Sequence, residues 1–267
     1  MPSSSLSDIV DFLHSFAPLS LAADWDNVGL LIGDRNDPVE RILTCLTLTE
    51  DVADEAIAER ANLVVSHHPI LFRPVQRITT ETPDGRTLLK LLRGRIAVYC
   101  PHTAFDSAKE GINQQLAESL ALNSIRPLRP ADDDQAHGEG RIGELPQPQP
   151  LSDFLSRIRE LFQLSHVAFT GDLQQQVARI AIGCGSAGEF LSDAANEGCD
   201  LFLTGETRFH THLEARALGV ALVLVGHYAS ERPAVEALAN TLSQAFRELT
   251  VWPSRVEQDP VQWSSES

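Results

Sequence analysis

Basic side chains are scarce in this chain. Across 267 residues, 21 lysines and arginines stand against 37 aspartates and glutamates, a formal net charge of −16. That balance disfavours nucleic-acid binding driven by phosphate neutralisation, and no basic run forms a local patch. Acidity agrees weakly with cation binding and equally well with solubility alone. Cysteine is sparse too. Cys45, Cys100, Cys184 and Cys199 show no C-x-x-C spacing, so neither a thiolate metal site nor a redox motif is visible. Small buried thiols in a reducing compartment are expected. No apolar stretch approaches the roughly 20 residues of a spanning helix. The opening Met1-Pro2-Ser3-Ser4-Ser5 lacks the basic region and apolar core of a signal peptide, so a cytoplasmic address and no membrane partner are expected. Gly-rich phosphate loops and dinucleotide fingerprints are also missing.

What is present begins at His67 and His68, which follow the short apolar run Leu63-Val64-Val65-Ser66. A buried strand ending in two imidazoles delivers them to the carboxyl edge of a sheet, where open α/β folds place ligands. Adjacent histidines rarely help packing, because each brings two ring nitrogens that need partners. Taken alone, the pair reads equally as metal ligands or as a polar strand end.

The chain also contains an internal repeat. Arg41-Ile42-Leu43 opens a strand, a helical stretch runs from about Glu50 to Arg60, and Asn62 to Ser66 leads to the histidine pair. Arg179-Ile180-Ala181-Ile182 opens a second strand, Ala187 to Glu197 is helical, and Asp200 to Thr204 leads to Gly205-Glu206. Arg41 to Arg179 and Ser66 to Thr204 share one offset of 138 residues. Each half then has a further apolar strand closed by a histidine with an acid four residues later: His102 and Asp106, then His227 and Glu231, both pairs offset by 125. The longer excursion of the first half, residues 73–93, absorbs the difference. Strands separated by helical stretches argue for parallel βαβ units with right-handed crossovers. The predicted fold is α/β, with two pseudo-symmetric lobes, largely parallel sheets, and a metal site in the cleft between them. There the His102–Asp106 and His227–Glu231 corners face each other and His67 and His68 join them.

Expected boundaries are an N-terminal lobe over 1–128, a linker over 129–150, a C-terminal lobe over 151–250 and a tail over 251–267. The linker is assigned on its proline, glycine and charge content. Its run Asp132-Asp133-Asp134 is read as solvated, not as a metal site. Ser5-Leu6-Ser7-Asp8 before Ile9, Phe12, Leu13 and Phe16 predicts a capped amphipathic helix, and Leu151–Phe162 and Ala234–Phe246 predict two more. Of His210 and His212, alternate residues on a helix, only one can reach the cleft; His210 is taken as the pocket residue and His212 as a surface one. His14 and His166 read as structural histidines, Asp26 and Asn27 as a turn, and Trp25 as packing. Tyr228 and Ser230 border the final ligands, where contact with substrate is one reading.

The run Trp25-Asp26-Asn27-Val28-Gly29-Leu30-Leu31-Ile32-Gly33 resembles an N-terminal signature of the Nif-three-like (NGG-one-interacting-factor-three-like) dinuclear metal-centre family, also labelled GTP cyclohydrolase 1 type 2 homologues. So do Ser66-His67-His68-Pro69, His102-Thr103-Ala104-Phe105-Asp106, Gly140-Arg141-Ile142-Gly143, Thr204-Gly205-Glu206 and Gly226-His227-Tyr228-Ala229-Ser230-Glu231. The likeness runs in order from about Leu6 to Phe246. It implies a two-lobed α/β subunit in a toroidal homohexamer, with paired metals facing the inner cavity. It implies His67, His68, Asp106, His227 and Glu231 as ligands and places His102 beside the metals, as ligand or in the outer shell. The short connection between the halves resembles the compact form of the family. Glu206 stands where relatives often carry aspartate.

Three or four imidazoles with two carboxylates form a mixed N/O set that suits zinc, manganese or iron better than magnesium or calcium. Asp106 and Glu231 are the expected bridges between two divalent ions per subunit. Five or six protein ligands cannot saturate two ions, which leaves positions for water whose pKa can fall to about 7. The expectation is a metal-dependent hydrolase of a small-molecule substrate, with His102 and His210 as catalytic residues beyond the ligands. Purine-ring opening and phosphoester cleavage are both open to it. The alternative is a non-catalytic metal-binding or regulatory hexameric scaffold, which a fully ligated pair of ions would favour.

Overall fold

A computed structural model describes residues 4–131 and 134–263. In chain order the first elements are α1 (Leu6–Phe16), β1 (Gly29–Ile32), β2 (Arg41–Cys45), α2 (Glu50–Ala58), β3 (Leu63–Ser66), α3 (Pro83–Gly94), β4 (Ala97–Cys100) and α4 (His102–Ser107). Next come α5 (Ile112–Ser119), β5 (Asn123–Arg126), β6 (Arg129–Ala131), β7 (Asp134–Glu139), β8 (Arg141–Pro150), α6 (Leu151–Leu161), β9 (Ala168–Thr170) and β10 (Gln176–Gly183). The last are α7 (Leu191–Asn196), β11 (Leu201–Thr204), α8 (Phe209–Leu218), β12 (Ala221–Leu224), α9 (His227–Ala245) and β13 (Thr250–Pro253). This is the α/β fold expected, and the chain divides into two compact units. Their limits differ from the expected ones. The first unit is Met1–Phe105 with Arg232–Gln258, and the second is Asp106–Glu231 with Asp259–Ser267.

The first unit holds a five-stranded sheet in the order β1-β4-β3-β2-β13. Its strands β4, β3, β2 and β13 run parallel, and β1 closes one edge antiparallel to β4. All four residues of β3 and of β4 are buried, as strands covered on both faces require. Helix α1 starts where the sequence places it. Ser5 caps it, its hydroxyl and backbone amide exchanging hydrogen bonds with Asp8, and Leu6, Ile9, Val10 and Leu13 face inward. The first residues of the expected tail, 251–253, instead belong to β13, which pairs with Arg41 to Thr44.

The second unit holds a six-stranded sheet, β5-β8-β10-β11-β12-β9. Only its centre, β10-β11-β12, is parallel; β5, β8 and β9 are antiparallel flanks. The expected linker is also structured. Residues of 129–150 form β6, β7 and β8, and Asp132 and Asp133 lie outside the described residues. Pro146, Pro148 and Pro150 sit in the half of β8 beyond its pairing with β5, where a missing N–H breaks no ladder on that side.

The repeat is visible in the registers. Ile42 pairs with Leu63 and Cys45 with Ser66; Ile180 pairs with Leu201 and Gly183 with Thr204, the same pairs displaced by 138. Val65 pairs with Tyr99, and Leu203 with Val223, an offset of 124 for the third strands. The histidines that follow are offset by 125. The extra residue falls in the Val225-Gly226 step, where Gly226 adopts φ +95°.

The Gly140-Arg141-Ile142-Gly143 motif is architectural. The Arg141 side chain is fully buried and donates to the carbonyls of Gly138, Gly140, Ala108 and Ala136 and to Oε1 of Gln114. Burial pulls its pKa down to about 10, still charged at neutral pH, with carbonyl dipoles as its solvent. Gly140, at φ +60°, is needed because a Cβ there would meet the carbonyl oxygen of Ile182 at 2.8 Å. Among the described residues no helix is long and apolar enough to cross a membrane.

Candidate metal centre

In the first unit the parallel register continues past the strand ends. The amides of His67 and His68 donate to the carbonyls of Cys45 and Leu46 at 2.9 and 2.8 Å. This carries both imidazoles to the carboxyl edge of β3. The thiol of Cys100, at the end of β4, donates to the His67 carbonyl at 3.0 Å, and Ser66 Oγ donates to that of His68. His67 is 2% exposed. Its ring centroid lies 5.1 Å from that of His68 and 5.2 Å from that of His102. His67, His68 and His102 each offer a ring nitrogen, and the three atoms lie within 4.8 Å of one another.

The orientation of two of these rings is fixed from behind. Nδ1 of His68 lies 2.8 Å from Oγ1 of Thr47. Nδ1 of His102 lies 2.8 Å from both carboxylate oxygens of Asp26, whose side chain is fully shielded. Burial alone would raise the Asp26 carboxyl. Hydrogen bonds from His102 and Thr103 outweigh it and bring the pKa from 3.8 to about 2. His102 itself adopts φ +21°, a rare backbone state for a residue with a side chain, as strained functional positions often do. Trp25 and Phe72 flank its ring edge-on, at 6.1 and 6.5 Å. Trp25 is thus 63% exposed beside the cluster, where packing was expected of it.

In the second unit His227 opens α9, so Glu231 stands one turn along on the same face. His227 Nε2 meets Glu231 Oε2 at 3.0 Å, and its Nδ1 meets Glu206 Oε1 at 3.1 Å. The hydrogen bond with Glu231 raises the His227 pKa to about 9 against the opposing effect of burial, with Glu206 adding to the rise. The apolar spacing predicts this helix from Ala234, after the proline. In fact Pro233 lies inside it, and the first turn carries the histidine and the acid.

Around these residues the second unit supplies partners that the sequence reading missed. Cys184 follows β10, and its thiol donates to Asp106 Oδ1 at 3.2 Å. Burial pushes that thiol well up, and the Asp106 and Glu231 carboxylates push it further, so it stays protonated. Asn113 grips the same corner, donating to the Asp106 carbonyl and accepting from the Cys184 amide. Gly185 at φ +59° lets Glu231 in: a Cβ there would stand 2.2 Å from Oε1 of Glu231 and 3.3 Å from Nε2 of His227. No spacing rule exposes such a glycine, because its role is an approach made in space.

Other candidates fall elsewhere. His210 is exposed at the start of α8 against Phe209, and it is in no metal-holding group among the described residues. His212 meets Thr170 through Nδ1 at 2.7 Å. His14 is tilted against Tyr99, whereas His166 is exposed and stacked on Trp263. Ser230 is used structurally, accepting from the Gly185 amide and donating to the His227 carbonyl. The four cysteines are buried and form no disulfide. Each unit thus presents residues able to hold a metal ion: His67, His68 and His102 in the first, His227 and Glu231 in the second.

Residues 4–260 match the family described as Duf34/NIF3 (NGG1p interacting factor 3). The chain is 34% identical over 249 residues to a "GTP cyclohydrolase 1 type 2 homolog" of Clostridium acetobutylicum, covering 92% of each protein. It is 34% identical over 278 residues to "Protein NIF3 homolog" of Schizosaccharomyces pombe, covering 97% of each. A crystal structure of a Staphylococcus aureus hypothetical protein superposes with TM-score 0.90 at 29% identity, covering 98% of this chain and all of that one. A Bacillus cereus protein related to NIF3, at 22% identity and TM-score 0.90, shares the fold. Matched along nearly its whole length, this chain belongs to the Duf34/NIF3 family.

Proposed function

We propose that the chain is a hydrolase dependent on two divalent ions per subunit, held by His67, His68, Asp106, His227 and Glu231, with His102 beside them. One observation carries the reading: three imidazoles converge within 4.8 Å in the first unit, a grouping that packing alone does not favour. The donor set fits a borderline ion such as zinc, manganese or iron, because imidazole and carboxylate together suit these ions. Bound there, such ions supply Lewis acidity toward a phosphoryl or carbonyl oxygen and toward water.

The chain's own residues then have separate tasks. Thr47 and Asp26 hold the rings of His68 and His102. His102 offers its second ring nitrogen beside the ions, as a ligand or in the outer shell, and Asp106 and Glu231 hold the centre's charge balance. Purine-ring opening in GTP, the reaction in the relatives' name, and phosphoester cleavage are the two substrate classes to screen. Of the two histidines expected to act beyond the ligands, the geometry supports His102. We further propose a cytoplasmic homohexamer, which light scattering on the purified protein tests by a mass six times that of the chain.

Elemental analysis of the full-length protein, followed by a hydrolase screen against Asp106→Ala and Glu231→Ala, tests the reading. Two ions per chain, loss of metal in both variants and turnover in the parent protein support it. Unchanged metal content in the variants overturns the ligand assignment. Metal without turnover of any substrate class replaces the enzyme by a metal-binding scaffold.

A further inference from the structure

We infer that Asp26 is the positioning residue of the metal centre, fixing His102 in the Nδ1–H tautomer so that Nε2 keeps the lone pair for an ion. This rests on the metal-centre reading above, and it assigns a task to a residue that sequence alone would place in a turn.

The argument is one of donors and acceptors. An ionised carboxylate only accepts. Asp26 accepts from the Asn27 amide at 2.7 Å, from the Thr103 amide at 3.2 Å and from Thr103 Oγ1 at 2.5 Å. His102 Nδ1 faces both oxygens at 2.8 Å. With every neighbour donating, Nδ1 must carry its proton, and the neutral ring is left with its acceptor at Nε2. Asp26 itself is held in place. Thr103 Oγ1 donates to it and accepts from the Ala23 amide at 3.0 Å, and Asn27 Nδ2 ties the loop to the Leu71 carbonyl at 2.6 Å. A shielded carboxylate orienting an imidazole whose other nitrogen belongs to a cluster of histidines is the arrangement that fixes metal-ligating rings and raises their basicity. Its consequence here is that the first unit's site is preformed in the metal-free protein.

Two measurements on the full-length protein test this, one of them independent of any metal. Long-range proton–nitrogen correlation on histidine-labelled protein, in alkaline solution where imidazole is neutral, reads the tautomer of His102. Nδ1–H is expected in the parent protein, with Nε2–H appearing in Asp26→Asn. An Nε2–H ring in the parent overturns the inference. Titration with zinc against a competing chelator reads affinity, which should fall about 10- to 100-fold in Asp26→Asn. Thr103→Val removes one of the donors that brace Asp26 but keeps the carboxylate on His102 Nδ1, so its loss of affinity should be clearly smaller than that of Asp26→Asn. An equal loss in Thr103→Val, or none in Asp26→Asn, overturns the inference. A parent protein that binds no zinc at all instead defeats the metal-centre reading, while the tautomer result still judges Asp26.

Discussion

Replacing Gly185 by alanine should damage metal binding without touching a ligand. The new Cβ would stand 2.2 Å from Glu231 Oε1, and such contacts are not made below 3.0 Å. The carboxylate must therefore retreat by about 0.8 Å, several times the roughly 0.2 Å within which metal–ligand distances are held. A separate penalty comes from the backbone, because φ at Gly185 is +59° and an L side chain in that region costs about 1–2 kcal/mol. For a chain of this size that strain lowers Tm by about 2–8 °C. Loss of the Glu231 ligand should weaken zinc binding at least about tenfold, or 1.4 kcal/mol, in a chelator competition. Gly219→Ala separates the two effects. Gly219 has φ +72° as the C-cap of α8, and a Cβ there meets nothing within 4 Å. It should lose a similar Tm and keep parental affinity. A Gly185→Ala protein that binds zinc as tightly as the parent would refute the placement of Glu231 in the centre.

Three further outcomes are expected. Arg141→Met keeps bulk but strips the buried carbonyls of their donor, so urea unfolding should show a loss of at least about 1–3 kcal/mol, the cost of leaving one such acceptor unmet, and a loss below about 1 kcal/mol would mean that water replaces the guanidinium. Asp26 has its folded pKa depressed from 3.8 to about 2, so its contribution is complete above 3.8 and vanishes as pH falls toward 2. It amounts to about 2 kcal/mol, and Asp26→Asn should flatten the acid limb of Tm against pH over that window, an unchanged limb counting against the bond. His210→Ala should leave metal content as it is, and a loss of metal on that substitution would make His210 a ligand.

Much of the candidate site was legible because its chemistry sits at strand ends. Apolar runs mark β3, β4 and β12, and the residues just past them are His67, His68, His102 and His227. The acids at Asp106 and Glu231 stand one helical turn further on, so a spacing of four was enough to pair them with their histidines. What could not be read was whatever depends on approach across the chain. Asp26 lies 76 residues from His102 and belongs to no periodic pattern. Cys184 looked like any small core thiol, since only the fold sets it against Asp106. Pro-rich β8 was mistaken for a linker because proline is punctuation in most contexts, and an unpartnered strand side is one context where it is not. β13 was missed because a four-residue strand after a long helix leaves too short a pattern to separate from a terminus.

Trp25 stands 6.1 Å from the His102 ring with much of its indole open to water. Indole emission is quenched by a neighbouring imidazolium and by open-shell ions, so this side chain is a built-in optical reporter for the first unit. Filling of the centre can be followed by fluorescence in the unlabelled protein, with Trp252 and Trp263 supplying the constant background.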